Sequence, residues 1–179
     1  QGLSVFIQTA HHDLIYDAGP KSVDGFDAGH SVVLPFMLYQ HINYLDRMFI
    51  SHGDNDHIGC AYAILKRFLK PLVLTSVPDR FAHYHVTRCV AGQQWRWDGV
   101  IFRVLYPPQG MPYQGNNSSC VLRIDTGKSA LLLTADIEKL AEQWLLIHQR
   151  QQLAAAILLA PHHGSSTSST PQFIAAVAP

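Results

Sequence analysis

The chain has 179 residues, 47% hydrophobic and 15% charged, enough to bury one core and too ordinary in composition for a disordered or fibrous protein. Its 13 Lys and Arg balance 13 Asp and Glu, which excludes a global field drawing the surface to nucleic acid or anionic lipid, so any polyanion must be held locally or delivered. No apolar run approaches membrane-spanning length, and the three cysteines, Cys60, Cys89 and Cys120, show neither CxxC spacing nor an even count, so neither a disulfide framework nor a zinc knuckle is expected.

Leu3-Ser4-Val5-Phe6-Ile7 and Leu14-Ile15-Tyr16, separated by the polar His11-His12-Asp13, predict a β-hairpin that ends in the turn Asp17-Ala18-Gly19-Pro20. Helical spacing runs from about Ser31 to Gln40, and Met48-Phe49-Ile50 is a short buried strand leading into Ser51-His52. Ile58 to Phe68 has helical spacing with Lys66 and Arg67 at its end, where cations suit the dipole. Pro71 to Leu74 reads as a strand, Val77 to Gly92 is ambiguous, and Val100 to Leu105 is a strand stopped by Pro107-Pro108, before a Pro- and Gly-containing loop. Cys120 to Ile124 and Ala130 to Leu133 predict a second hairpin around Asp125-Thr126-Gly127, with Asp136 directly after it. An amphipathic helix over Ile137 to Gln149, a buried strand over Ala154 to Leu159 and a final helix from Pro171 to Val177 complete the order, an α/β pattern without an internal repeat. One domain over residues 1–179 is expected, and the start at Gln1 without Met points to an excised fragment of a longer protein.

Three strand ends carry polar clusters, the usual placement of a site in such folds. Ser51-His52-Gly53-Asp54-Asn55-Asp56-His57-Ile58-Gly59 packs two imidazoles and two carboxylates between a strand and a helix, a nitrogen and oxygen mixture that suits zinc or manganese. Like charges as close as Asp54 and Asp56 are costly unless a cation or protons neutralise them. A helix N-cap would account for one polar residue here, not four. Asp136 alone reads as an N-cap, and a lone histidine is usually structural. Beside the first motif, Asp136 becomes a candidate bridging ligand, and His162 and His163, paired at a strand end, become candidate ligands too.

His52-x-Asp54-x-Asp56-His57 resembles the H-x-H-x-D-H signature of the metallo-β-lactamase superfamily, with Asp54 in place of the second histidine. Together with Gln1-Gly2, Tyr16-Asp17-Ala18-Gly19-Pro20, Asn116-Asn117-Ser118-Ser119-Cys120-Val121-Leu122, Leu132-Leu133-Thr134-Ala135-Asp136 and Pro161-His162-His163-Gly164-Ser165-Ser166, it resembles the C-terminal domain of ComEC-type competence proteins, inner-membrane DNA-uptake channels of bacteria. The resemblance covers essentially the whole chain. It implies an αββα sandwich, truncated at its C-terminal end, cut from a larger membrane protein and lying on the periplasmic side. It implies two divalent ions, Zn²⁺ or Mn²⁺, one held by Asp56 and His57 and the other by His52 and Asp54, with Asp136 bridging and His163 the last histidine, His162 being the adjacent candidate. Where superfamily enzymes carry a further histidine, this chain has Asn116 and Ser119, which implies weaker occupancy at His52 and Asp54.

The implied activity is a DNA phosphodiesterase that degrades the non-transported strand during uptake in natural transformation. Asp56 or Asp136 would accept the nucleophile's proton and His162, with Asn116, Ser119 and Ser165, would contact substrate oxygens. The implied partners are single-stranded DNA and the channel portion of the same polypeptide, whose tether would compensate for a neutral surface. Arg80, Arg88, Arg96 and Arg103 are candidates for a local basic patch. Two alternatives remain open: a hydrolase for RNA, thioester or lactam, and a catalytically weak module with a structural or DNA-binding role.

Overall fold

β-Branched and apolar runs broken by short polar turns give β1 (Val5–Gln8) and β2 (Asp13–Tyr16), the predicted hairpin, with Val5 opposite Tyr16 and Gln8 opposite Asp13. In the computed structural model, which describes residues 2–22, 24–25, 27–68 and 71–179, the chain falls into two compact units, Gln1–Arg88 and Cys89–Pro179. Gln1, part of the start that entered the family resemblance, lies outside the described residues.

In the first unit, β3 (Arg47–Ile50), β4 (Leu72–Thr75) and β5 (Val86–Arg88) join β2 in parallel, giving a mixed sheet of order β1-β2-β3-β4-β5. Its inner strands read as continuous apolar runs, as parallel strands do. Residues Gly29–Val33 wind as a π-helical turn into α1 (Leu34–Tyr39), which together cover the predicted helical stretch. Met37, Ile15, Met48, Ile50, Ile64 and Leu65 share the core of this unit.

The helix predicted over 58–68 is divided. α2 (Asn55–Ile58) starts three residues early, inside the polar motif, and α3 (Ala61–Arg67) resumes after Gly59-Cys60. Gly59 explains the break. A Cβ there would lie 2.5 Å from both the Asn55 carbonyl oxygen and the Lys21 nitrogen, so the glycine lets the motif's exit press against the segment after β2. Gly59→Ala is expected to destabilise the chain by about 1–3 kcal/mol, because neither backbone atom can swing aside. Thermal melts check this, each kcal/mol lowering Tm by about 2–4 °C in a chain of this size.

In the second unit, β6 (Gln94–Trp97), β7 (Val100–Tyr106), β8 (Val121–Asp125) and β9 (Ala130–Leu133) form an antiparallel meander, and β10 (Ile157–Leu158) adds in parallel to β9. This sheet too is mixed. The sequence reading assigned no element to β6, although Gln-Trp-Arg-Trp alternates strictly. Trp95 stacks on Phe102 of β7 with centroids 5.0 Å apart, which fixes that face. α4 (Lys139–His148) and α5 (Pro171–Val177) flank the sheet, and Leu132, Leu145, Phe173 and Val177 share its core. The strand predicted over 154–159 shrinks to the two residues of β10.

The cysteine expectation needs correction. Cys89 and Cys120 are joined in a disulfide with Cα atoms 6.2 Å apart, and both residues are fully buried. Their separation of 31 residues carried no sequence signal, because it is the folding of β6 and β7 between them that brings Cys89 to the residue just before β8. Cys60 remains a thiol, and burial, reinforced by a hydrogen bond to Asp27, pushes its pKa up to about 11, which leaves it unreactive.

Candidate functional site

In the first unit the polar residues stand at the C-terminal ends of two neighbouring parallel strands. β2 runs out into Asp17 and β3 into Ser51-His52, and Asp17 N–H still bonds the Phe49 carbonyl at 2.8 Å. Asp17 is fully buried in the left-handed region at φ 61°. Its carboxylate accepts the Ser51 N–H and the Ser51 hydroxyl, each at 2.7 Å, and lies 2.7 Å from Nδ1 of His57. A carboxylate can only accept, so this contact places the ring proton on Nδ1 and the lone pair of His57 on Nε2. His52, also fully buried, sets its ring tilted by 54° against that of His57 with centroids 4.3 Å apart, and its Nδ1 lies 3.0 Å from Ser51 Oγ.

The two motif carboxylates approach these rings. Asp56 Oδ2 lies 3.7 Å from His57 Nε2, and Asp54 Oδ2 lies 3.7 Å from His52 Nε2. Asp54 is 55% exposed at its side chain, the most open of the four. The loop is held from outside by Arg80, whose guanidinium donates to the Gly53 carbonyl at 3.0 Å. Arg88 likewise donates to the Ser76 carbonyl at 3.0 Å. Arg96 and Arg103 lie on β6 and β7 of the second unit.

In the second unit the same device recurs. β9 and β10 run parallel, and beyond their ends the His162 N–H bonds the Ala135 carbonyl at 2.9 Å. Asp136, 4% exposed, lies with Oδ1 3.6 Å from His163 Nε2 and Oδ2 3.8 Å from His162 Nε2. Asn116 Nδ2 stands 3.4 Å from His162 Nε2, and Thr167 Oγ1 holds the other ring nitrogen at 3.0 Å. Of the eight non-glycine residues with positive φ among those described, Asp17, Ala135, His162 and His163 sit in these two clusters. Left-handed backbone outside glycine is costly and persists where surrounding bonds over-determine it, typically at sites.

Within each unit, then, the predicted residues are brought together: His52, Asp54, Asp56 and His57 in one, Asp136, His162, His163 and Asn116 in the other. Ser119 is placed differently from a substrate contact, because it is fully buried and its hydroxyl accepts the Asp136 N–H at 3.3 Å. Ser165 turns its hydroxyl to Thr167, 3.1 Å away, and so supports the residue that holds His162. Asp17, read from sequence only as a turn residue, was missed as a partner of His57. Its signal was faint: an acid directly after a buried strand, like Asp136. Asn117 was missed as well. Its side-chain oxygen accepts the Glu138 and Ala141 N–H groups at 3.1 and 3.3 Å and caps α4 from another loop.

Comparison with known proteins agrees with this arrangement. The family model described as "Metallo-beta-lactamase superfamily" matches residues 1–179. The chain is 35% identical over 179 residues to "Competence protein ComA" of Neisseria gonorrhoeae, covering 100% of this chain and 25% of that protein. It is 34% identical over 179 residues to "Recombination protein 2" of Haemophilus influenzae, covering 100% and 22%. The chain thus spans about a quarter of the length of these curated relatives. Among solved structures, a metallo-β-lactamase from Cronobacter sakazakii aligns with TM-score 0.63 at 15% identity over 98% of this chain and 85% of its own, a likeness of fold.

Proposed function

Since the chain belongs to the metallo-β-lactamase superfamily, whose members are generally metal-dependent hydrolases, we propose that it is a DNA phosphodiesterase acting on the strand that is not imported during DNA uptake. The observation that carries this reading is the His57–Asp17 pair, in a chain similar over its full length to a protein named for competence. A buried carboxylate on one ring nitrogen is how metal-binding imidazoles are oriented and made more basic.

The donor chemistry fits a divalent ion. We propose the ligand assignment that the family resemblance implies: Asp56 and His57 for one ion, His52 and Asp54 for the other, Asp136 as the bridging ligand and His163 as the last histidine. Two imidazoles and two carboxylates without thiolate suit manganese as well as zinc. When bound, a divalent cation supplies a nucleophile activated near neutral pH and a Lewis acid for the phosphoryl oxygen that gains charge. The chain's own residues do the rest. Asp17 fixes the tautomer of His57, Asp56 is the base that takes the nucleophile's proton, and His162, fixed by Thr167 and beside Asn116, faces a substrate oxygen.

A second reading is favoured by one observation. Ser119 stands in the stretch where superfamily enzymes carry a further histidine, and its buried hydroxyl is engaged by the Asp136 N–H. In that reading the His52 and Asp54 site stays vacant and the domain serves as a weak or non-catalytic module. The buried Cys89–Cys120 disulfide supports a domain on the extracytoplasmic side, since such bonds persist in oxidising compartments. No described helix is long and apolar enough to cross a membrane, so membrane attachment belongs in this reading to the channel portion of a longer polypeptide.

The test is incubation of the purified chain with single-stranded DNA, RNA and a thioester, with and without Mn²⁺. DNA cleavage that requires the metal and disappears in Asp56→Ala is expected. Preference for RNA or thioester overturns the substrate assignment, and fewer than one ion per chain after reconstitution favours the non-catalytic module.

A further inference from the structure

We propose that the Cys89–Cys120 disulfide is a covalent brace for the loop that positions Asp136, so that this half of the site assembles fully only in an oxidised chain. The inference rests on the metal-hydrolase reading for what is positioned, while the brace itself is a property of the second unit alone.

Between β7 and β8 the chain has no regular structure except one 3₁₀ turn over Gly115–Ser118. That short loop nevertheless holds three separate parts of the site. Asn116 touches His162, Asn117 caps α4 through Glu138 and Ala141, and Ser119 accepts the backbone N–H of Asp136. A loop with this task must itself be fixed. Its own bonds include Ser119 N–H to the Asn116 carbonyl at 3.0 Å, Gln114 N–H to Ser118 Oγ at 2.7 Å, and the buried Tyr106 hydroxyl to the Asn117 carbonyl at 2.8 Å.

Cys120 follows Ser119 directly and is bonded to Cys89. The Cys89 side is anchored in turn to β7 and its exit. Ala91 N–H bonds the Pro107 carbonyl at 2.7 Å and Gly92 N–H the Val104 carbonyl at 3.0 Å. The disulfide therefore ties the loop's exit to a segment already fixed on the sheet. Constraint at this point reaches Asp136 through one serine.

Other roles for the pair fit less well. Fully buried sulfurs bonded to each other offer no ligand to a metal and no surface to a passing reductant, which makes the bond a lasting brace rather than a reversible switch. Its formation is ordinary exchange with a protein disulfide oxidant. One cysteine thiolate attacks the oxidant's disulfide, and the second displaces the mixed disulfide. The chain gives up two protons and two electrons, and the oxidant leaves as a dithiol. A nuclease matured in this way stays poorly assembled in a reducing compartment.

Hydrogen exchange on the purified chain, compared with Cys89→Ala/Cys120→Ala and with wild type refolded under a phosphine reductant, tests the brace. The amides of Asp136, Ser119 and Gln114 are expected to exchange at least about tenfold faster without the disulfide, while the β7–β8 ladder stays protected. Cobalt titration reads the consequence as a weaker Kd and an altered d–d spectrum at a temperature where both forms are folded. Val177→Ala, a buried change on α5, controls for simple loss of stability and is expected to leave the cobalt spectrum intact. Unchanged exchange at Asp136 and Ser119 in both reduced forms overturns the brace, as does the same spectral change in Val177→Ala. If the oxidised chain binds no cobalt and cleaves no DNA, the hydrolase reading fails, and the exchange data still decide the brace.

Discussion

Asp136→Asn is expected to abolish metal-dependent hydrolysis, by about 10³-fold or more, while leaving the fold in place. The residue is 4% exposed and its two carboxylate oxygens face His163 and His162 at 3.6 and 3.8 Å. Asparagine keeps the volume and one oxygen, and the backbone bond to Ser119 survives because it uses the Asp136 N–H. What disappears is the negative charge that balances a divalent ion. A metal supplies several kcal/mol of charge stabilisation in the transition state, and about 4 kcal/mol corresponds to about 10³ in rate. Thermal melts separate this from misfolding. Added Mn²⁺ should raise the Tm of the wild type, since a ligand bound only by the folded state stabilises it, and should leave the variant unmoved. A variant that retains both the metal-induced shift and cleavage would remove Asp136 from the ligand set.

The second large effect is expected at Asp17, a residue that touches no substrate. Asp17→Ala would leave three buried donors, the Ser51 N–H, the Ser51 hydroxyl and His57 Nδ1, without the carboxylate that accepts them. Unmet buried donors cost about 1–3 kcal/mol each, so this variant is expected to melt far below wild type. Asp17→Asn separates stability from function. Its oxygen can keep the Ser51 N–H, but its NH₂ faces His57 and favours the opposite tautomer, with the proton on Nε2. The nitrogen proposed to ligate then carries hydrogen, and metal affinity should fall about 10–100-fold, the usual loss when the partner of a ligating histidine is changed. ¹⁵N chemical shifts of His57 report the tautomer directly. Unaltered shifts with unaltered affinity would reduce Asp17 to a purely structural role.

Most of the architecture could be read from hydrophobic period and turn chemistry. Both hairpins, the strand before His52 and the helices over residues 139–148 and 171–177 follow from apolar spacing and from Gly, Asp and Pro at the breaks. Elements whose existence depends on distant partners were harder. β10 is two residues long because only Ile157 and Leu158 pair with β9, whatever the apolar run around them suggests. β6 owes its stability to Trp95 and Trp97 packing on Phe102 across the ladder. The candidate site residues stood out in the sequence because ligand chemistry is concentrated in short motifs. Their supports did not. Asp17, Asn117 and the Cys89–Cys120 bond act across separations of 40, 24 and 31 residues, which leave no local pattern.

Parallel pairing at β9 and β10 makes the chain's tolerance to length change uneven. Register there is set by two residues, and the imidazoles follow four and five positions after Leu158. One residue inserted between Leu158 and His162 would shift the rings by about 3.3 Å along the strand direction, well outside the roughly 0.5 Å within which a ligand constellation works. The same insertion beside the exposed Arg150 and Gln151, between α4 and the buried Leu153, can bulge outward and leave the pairing untouched. Variation in chain length can therefore accumulate upstream of the edge strand, whereas the four-residue step from its end to the paired histidines is fixed by geometry.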